Sequence, residues 1–257
     1  MRLYLKFLSL HVKSALTYRA SFLLSCLGQL LVTVNTFLGV KFLLDRFGTI
    51  AGYTLPQLAL CFAVILAATS LAECFARGLD AFASVLSEAR FDRILVRPRS
   101  ILFQLLCEKI KLTMAPRLLQ AALMLVWSIS AGAVQWTAAK AVVLTLMILC
   151  GAALFFGLFL INAALCFFTL ESLEVMNIFT DGPREYGKYP FGIYGKGVLW
   201  ILTLLVPLAL VQHWPLQYLL DRGPGWYGLL PLLSLLFLIP CTALWRLGVR
   251  HYRSTGS

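Results

Sequence analysis

Several groups of residues in this sequence have types and spacings that invite chemistry. Gly182, Gly187 and Lys188 carry the glycine–lysine spacing of a phosphate-binding loop. Such a loop needs Ser or Thr after the lysine to hold Mg²⁺, and backbone amides set between a strand and a helix. Tyr189 stands at that position, and the residues ahead read as the end of a long apolar helix. The spacing therefore makes no nucleotide site. Glu171 and Glu174 lie three apart on one helix face, as paired carboxylates for acid–base work would. No third group completes such a site, so a solvated helix end is the plainer reading. His11, His213 and His251 fall on three separate segments, none with a serine or carboxylate arranged for a triad. The seven cysteines form no Cys-x-x-Cys pair and stand near no histidine at metal-ligand spacing. Most lie inside apolar runs and read as small buried side chains. Catalytic, metal and cofactor sites are thus expected to be absent from this chain.

The elements that must position these residues are membrane spans. Of 257 residues, 60% are hydrophobic and 13% are charged, about half the charged share of an average soluble protein. The apolar residues cluster in runs of about twenty, the length that crosses a hydrocarbon core. The pattern predicts an all-α membrane protein with six transmembrane helices in one domain over residues 1–257. The spans are expected at 21–44, 55–75, 112–133, 141–170, 198–213 and 226–247. The fourth is longer than one crossing needs, so it must tilt, kink or project beyond the bilayer. The fifth is short and interrupted by Pro207, and 214–224 is a mixed segment able to dip into the interface. Residues 1–20 alternate Arg2, Lys6, Lys13 and Arg19 with leucines, the pattern of an amphipathic interfacial helix.

The net charge of +11 suggests nucleic acid at first sight. The basic residues sit between apolar runs rather than on one polar face, which excludes that reading and fits the excess of Lys and Arg in cytoplasmic loops. With the N-terminus inside, the inner segments hold 17 Lys and Arg and the outer loops hold three. Both termini are therefore expected in the cytoplasm. Two polar stretches fall on that side, 77–111 and 171–197.

The 77–111 stretch carries Arg90, Phe91, Asp92, Arg93, Leu95, Arg97, Pro98 and Arg99. Phe82, Val85 and Leu86 recur at helical spacing ahead of it, and Pro98 should end a short helix. Two readings stand: a loop that binds anionic headgroups, or a short cytoplasmic helix that docks into another protein. Asp92 among arginines favours the second, because it does nothing for lipid and suits salt bridges at a protein interface. Glu73 and Arg117 are the charges closest to the membrane interior, either a structural ion pair or functional groups. Asn35 and Asn162 lie within spans, where hydrogen bonding between helices is the ordinary role.

Phe91 and Asp92, then Leu95, Arg97 and Pro98, then Phe103 and Gln104, in that order, resemble the cytoplasmic segment of bacterial ABC type-2 transport permeases. Tyr189 and Pro190, Ile193 and Tyr194, Val206 and Pro207, Trp214 and Pro215, and Leu219 and Leu220 extend the likeness over nearly the whole chain. The resemblance implies a permease of the bacterial inner membrane, paired with an identical or paralogous chain. It implies an ABC ATP-binding subunit as partner, with ATP and Mg²⁺ bound there and not here. It assigns Phe91, Asp92, Arg93, Leu95, Arg97 and Pro98 to a coupling helix against that subunit. An ion-driven transporter or channel and a membrane-embedded enzyme are the alternatives. Few intramembrane charges argue against the first, and no nucleophile–base or metal constellation supports the second.

Overall fold

The computed structural model describes residues 2–47, 52–132, 134–169, 181–182, 185–187, 189, 191 and 195–252. Every element among them is helical. Helix α1 spans Arg2–Thr17 and α2 spans Arg19–Phe47. Next come α3 (Leu55–Asp80), α4 (Phe82–Ser87), α5 (Phe91–Leu95) and α6 (Ile101–Glu108). Then follow α7 (Ala115–Ser130) and α8 (Ala138–Thr169). The C-terminal part holds α9 (Gly195–Leu204), α10 (Leu208–Val211), α11 (His213–Leu219), α12 (Leu230–Ser234) and α13 (Leu238–His251).

Among the described residues, five helical stretches are long and apolar enough to cross a membrane: 19–39, 55–87, 112–130, 138–169 and 225–251. The chain is thus a multi-pass membrane protein. The segment expected as the fifth span is divided instead. Helix α9 has 10 residues, about 15 Å, half of a hydrocarbon core. Pro207 then removes a backbone donor, and the short helices α10 and α11 follow.

Helix α3 is apolar on every face, which suits a helix buried on all sides. A capping box between Thr54 and Gln57 starts it. Its apolar window is 89% buried, against 11% for that of α2. Helix α3 is therefore the central post, flanked by α7 and α8, while α2 turns Leu23, Leu24, Leu27 and Leu31 outward. Close packing at the centre uses small residues. A Cβ on Gly151 of α8 would stand 2.9 Å from Cβ of Ala68 and 3.1 Å from Cγ1 of Val211.

Helix α8 has 32 residues, about 48 Å against a core of about 30 Å. Its last turns carry Phe167 to the charged segment. The N-terminal helix α1 and the C-terminal Tyr252 lie at this same end, through contacts to α6 and α5. Gln217 and Asp221 lie at the opposite end, beside Tyr53 and Lys140. The chain therefore passes from one end to the other between Thr169 and Gln217, in interrupted pieces. The loop expected over 171–197 falls largely outside the described residues, as does the glycine–lysine spacing at 182–188. Of its described residues, Phe191 is buried in the main core and Gly187 accepts a hydrogen bond from Gln212 Nε2.

Candidate coupling site

The charged segment folds as a compact cap on the end of the bundle. After α4 the chain reverses at Ala89, whose φ is +52°. Ala89 N–H donates to Leu86 O and Arg90 N–H to Val85 O, each at 3.0 Å. These two bonds make a Schellman motif. Glycine is the usual residue at its left-handed position, and an alanine there costs roughly 1 kcal/mol. The reversal aims α5 back at the bundle, and α5 ends before Pro98.

Phe91 is fully buried in α5. Its ring lies 5.4 Å from Phe82, 5.2 Å from Phe167 and 4.7 Å from Tyr252. Trp245 closes the group at 5.4 Å from both Phe82 and Phe167. The tilted and edge-to-face angles match the preferred geometry, worth about 0.5–1.5 kcal/mol per pair beyond burial. Five rings from α4, α5, α8, α13 and the residue after α13 thus join into one cluster. Tyr252 OH donates to Asp92 Oδ1 at 3.0 Å. Gln104 Nε2 donates to the carbonyls of Ile94 and Arg99, both at 3.0 Å, and holds the turn after α5.

Two glycines set the approach of the flanking helices. A Cβ on Gly78 of α3 would fall on the carbonyl oxygen of Leu105 in α6. A Cβ on Gly248 of α13 would stand 2.6 Å from Cδ2 of Phe167 and 3.0 Å from Ala164 O. On the other flank, α1 rests on α6 through His11 Nε2 and Cys107 O at 3.0 Å. Arg90 bridges Glu88 at 2.7 Å and also pairs with Glu108.

The six residues assigned to the docking surface divide. Phe91 is buried, and the Asp92 carboxylate is engaged by Tyr252. Arg93, Leu95, Arg97 and Pro98 are exposed, with Val96 at 83% exposure and Arg99 alongside. The outward face is apolar and cationic, with no carboxylate from α5 itself.

Glu73 of α3 and Arg117 of α7 pair at 3.1 Å, both buried. A cavity of about 50 Å³ beside Arg117 is lined by Thr33, Thr36 and Glu185 among others. Asn162 is buried, and its Oδ1 has no hydrogen-bond partner among the described residues. Asn35 is exposed on α2, so neither asparagine makes a described bond between helices. Among the described residues no cluster of His, Cys, Asp and Glu has the makings of a metal site.

The opposite end is held by polar contacts that the sequence reading missed. Lys140 Nζ, almost fully buried, meets Asp221 Oδ2 at 2.7 Å. Gln217 Nε2 donates to Tyr53 OH at 2.7 Å, and the Arg222 guanidinium lies 5.1 Å from the Tyr53 ring centre. Ser128 Oγ donates to Pro56 O at 2.7 Å. Nothing local in the sequence pairs positions so far apart.

No curated protein and no solved structure matches the chain. A family model does, over residues 30–256, and its description is ABC-2 family transporter protein. That range covers the second half of the first span, the other four, the charged cap and the five-ring cluster, so the chain belongs to the ABC-2 transporter family, whose members are membrane components of transport systems.

Proposed function

We propose that the chain is the permease subunit of an ATP-binding-cassette exporter, driven by a separate ATPase. In this reading it crosses the membrane six times, the fifth crossing being the interrupted one through α9, α10 and α11. Both termini lie in the cytoplasm of a bacterial cell, in keeping with the inward excess of Lys and Arg. Helix α1 lies in the inner interface, and a second permease chain completes the translocation path. The cargo is amphipathic or hydrophobic, because spans this apolar offer few polar groups to bind it.

One observation carries the reading. The segment between α3 and α7 presents Arg93, Leu95, Val96, Arg97 and Pro98 outward while Phe91 roots it against Phe167 of α8 and Tyr252 just after α13. A surface loop that only neutralised headgroups would need no such root. An ATPase that contacted this tip differently in its two states would shift the permease between two states. The five-ring cluster would move as a block with the last turns of α8. The far end, held by separable polar contacts, is where such a motion would open the path.

The test is purification of the tagged chain from its native membrane and identification of the chains bound to it. An ATP-binding subunit is the expected companion, with no nucleotide hydrolysis by the chain alone. Hydrolysis by the lone chain, or purification without any such subunit in mild detergent, would refute the proposal.

A further inference from the structure

A cavity of about 380 Å³ opens beside the coupling segment, between α1, α5 and α6. This falls in the range of small-molecule sites, about 300–1,000 Å³. Arg90, Arg93, Arg97 and Arg99 line it against a single carboxylate, Glu108. Arg90 is already spent on Glu88 and Glu108. Arg93, Arg97 and Arg99 make no ion pair among the described residues. Three uncompensated guanidinium groups around one concavity form an anion site, and their planar forks suit phosphate oxygens. The opposite wall is apolar, with Phe7 of α1 and Phe103 of α6. Gln104 also lines the cavity, and its Oε1 is buried without a hydrogen-bond partner.

We infer that this cavity binds the headgroup of an anionic glycerophospholipid from the adjoining leaflet. Its phosphate sits among Arg93, Arg97 and Arg99, and its glycerol end lies toward Phe7, Phe103 and Gln104. The ligand class follows from the combination of cationic and apolar walls beside α1, whose Leu10 and Val12 are exposed. An acidic protein segment would match the arginines but not the apolar wall beside a membrane-facing helix. The sequence objection to lipid was Asp92, and the structure removes it. Asp92 does not line the cavity, and its carboxylate is engaged by Tyr252. A lipid held there ties α1 to α5 and sets the arginines that flank the coupling tip. The inference concerns the chain alone, and because Arg93 and Arg97 also belong to the proposed docking tip, lipid and ATPase would compete for them; the test below therefore uses the chain without an ATPase.

The test uses the purified full-length chain in neutral detergent. Thermal unfolding is followed while phosphatidylglycerol, phosphatidylcholine or inorganic phosphate is titrated, and bound lipid is counted by native mass spectrometry. The expected result is a saturable upward shift with phosphatidylglycerol at one lipid per chain, and none with phosphatidylcholine. Replacing Arg93, Arg97 and Arg99 together by Gln should weaken that binding ~100-fold, since each basic residue near an anionic lipid contributes roughly five-fold. Replacing Lys6, Lys13 and Arg250 together by Gln removes the same charge elsewhere and should change binding less than about three-fold. Equal losses in the two triple variants would mean diffuse surface charge and overturn the site. A full shift with inorganic phosphate would assign the cavity to a free phosphate and overturn the lipid. No shift with any probe would leave the cavity to an acidic protein segment and also overturn it.

Discussion

The two ends of the bundle reverse the chain with the same device and secure it with a different balance of contacts: rings from five segments meet at one end, whereas at the other Trp214, Trp226 and Tyr227 pack beside a set of long-range polar contacts. At the end capped by α4–α6, the inner end in the proposed orientation, Ala89 takes the left-handed position of a Schellman motif, and at the opposite, outer end Asp221 does, with φ of +52° and +56°. Asp221 N–H donates to Tyr218 O at 3.1 Å and Arg222 N–H to Gln217 O at 2.8 Å. Beyond the turn the two diverge. The inner reversal is rooted in five packed rings and two glycine contacts, which are short in range and indifferent to salt, with the exposed Arg90 pairs to Glu88 and Glu108 added at its surface. The outer reversal is held by Lys140 with Asp221, Arg222 with Tyr53, and Gln217 with Tyr53. Such contacts open one at a time and are screened where exposed. In the proposed function, a packed root at one end and separable polar contacts at the other are what a push on the tip would use.

The comparison breaks most severely if the buried charges of the inner half are removed. Glu73→Ala leaves Arg117 buried without this carboxylate, an expected loss of about 3–5 kcal/mol, or roughly 10 °C in Tm. Thermal unfolding of the purified chain reads it, and Glu73→Leu with Arg117→Met should recover most of the loss. An unchanged Tm in the single variant would mean that the pair is wet.

Next in size is the ring cluster. Phe91→Ala empties a fully buried site and should cost about 3 kcal/mol. It should also loosen α5, so that a protease cutting after Arg93 or Arg99 cleaves faster, whereas the same assay at Arg222 stays unchanged. Equal acceleration at both ends would erase the distinction between packed root and polar contacts.

The outer polar contact should respond less. Asp221 is 64% exposed in its side chain but Lys140 only 6%, so Asp221→Asn, which leaves an amide oxygen for the ammonium, is expected to cost about 1–2 kcal/mol. Its mark is salt: the wild-type contact should weaken between low and high ionic strength, and the variant should not. A thermal titration in NaCl measures the difference.

The smallest effect sharpens the shared device. Ala89→Gly relieves the left-handed alanine at the expense of a looser unfolded chain, a net gain of about 0.5 kcal/mol. Denaturant unfolding detects it, and a loss of stability would contradict the assigned φ.

Much of the fold was legible because lipid imposes simple rules. Runs of apolar residues marked the long helices, Pro207 marked the break, and Pro98 marked the end of α5. The facing of Asp92 was not legible. Its partner Tyr252 is 160 positions away, and a five-residue helix has too few turns for periodicity to separate its faces. The ring cluster draws on positions 82, 91, 167, 245 and 252, and aromatic residues are common in every span of such a chain. Glu73 and Arg117 were found because charge is rare in apolar runs, a signal that Lys140 and Asp221 lacked among ordinary loop residues. Asn35 shows the limit of that signal, since a polar residue in a span still lies exposed on α2.

In the proposed function the cationic tip is the grip for an ATPase, and its root is structural. The direct measurement is retention of the ATP-binding subunit by the Arg93→Glu, Arg97→Glu double variant during purification, with Tm recorded alongside. The account predicts that the subunit is lost while Tm stays within about 2 °C of wild type, since both side chains are exposed. Undiminished retention of the subunit by that variant would contradict it.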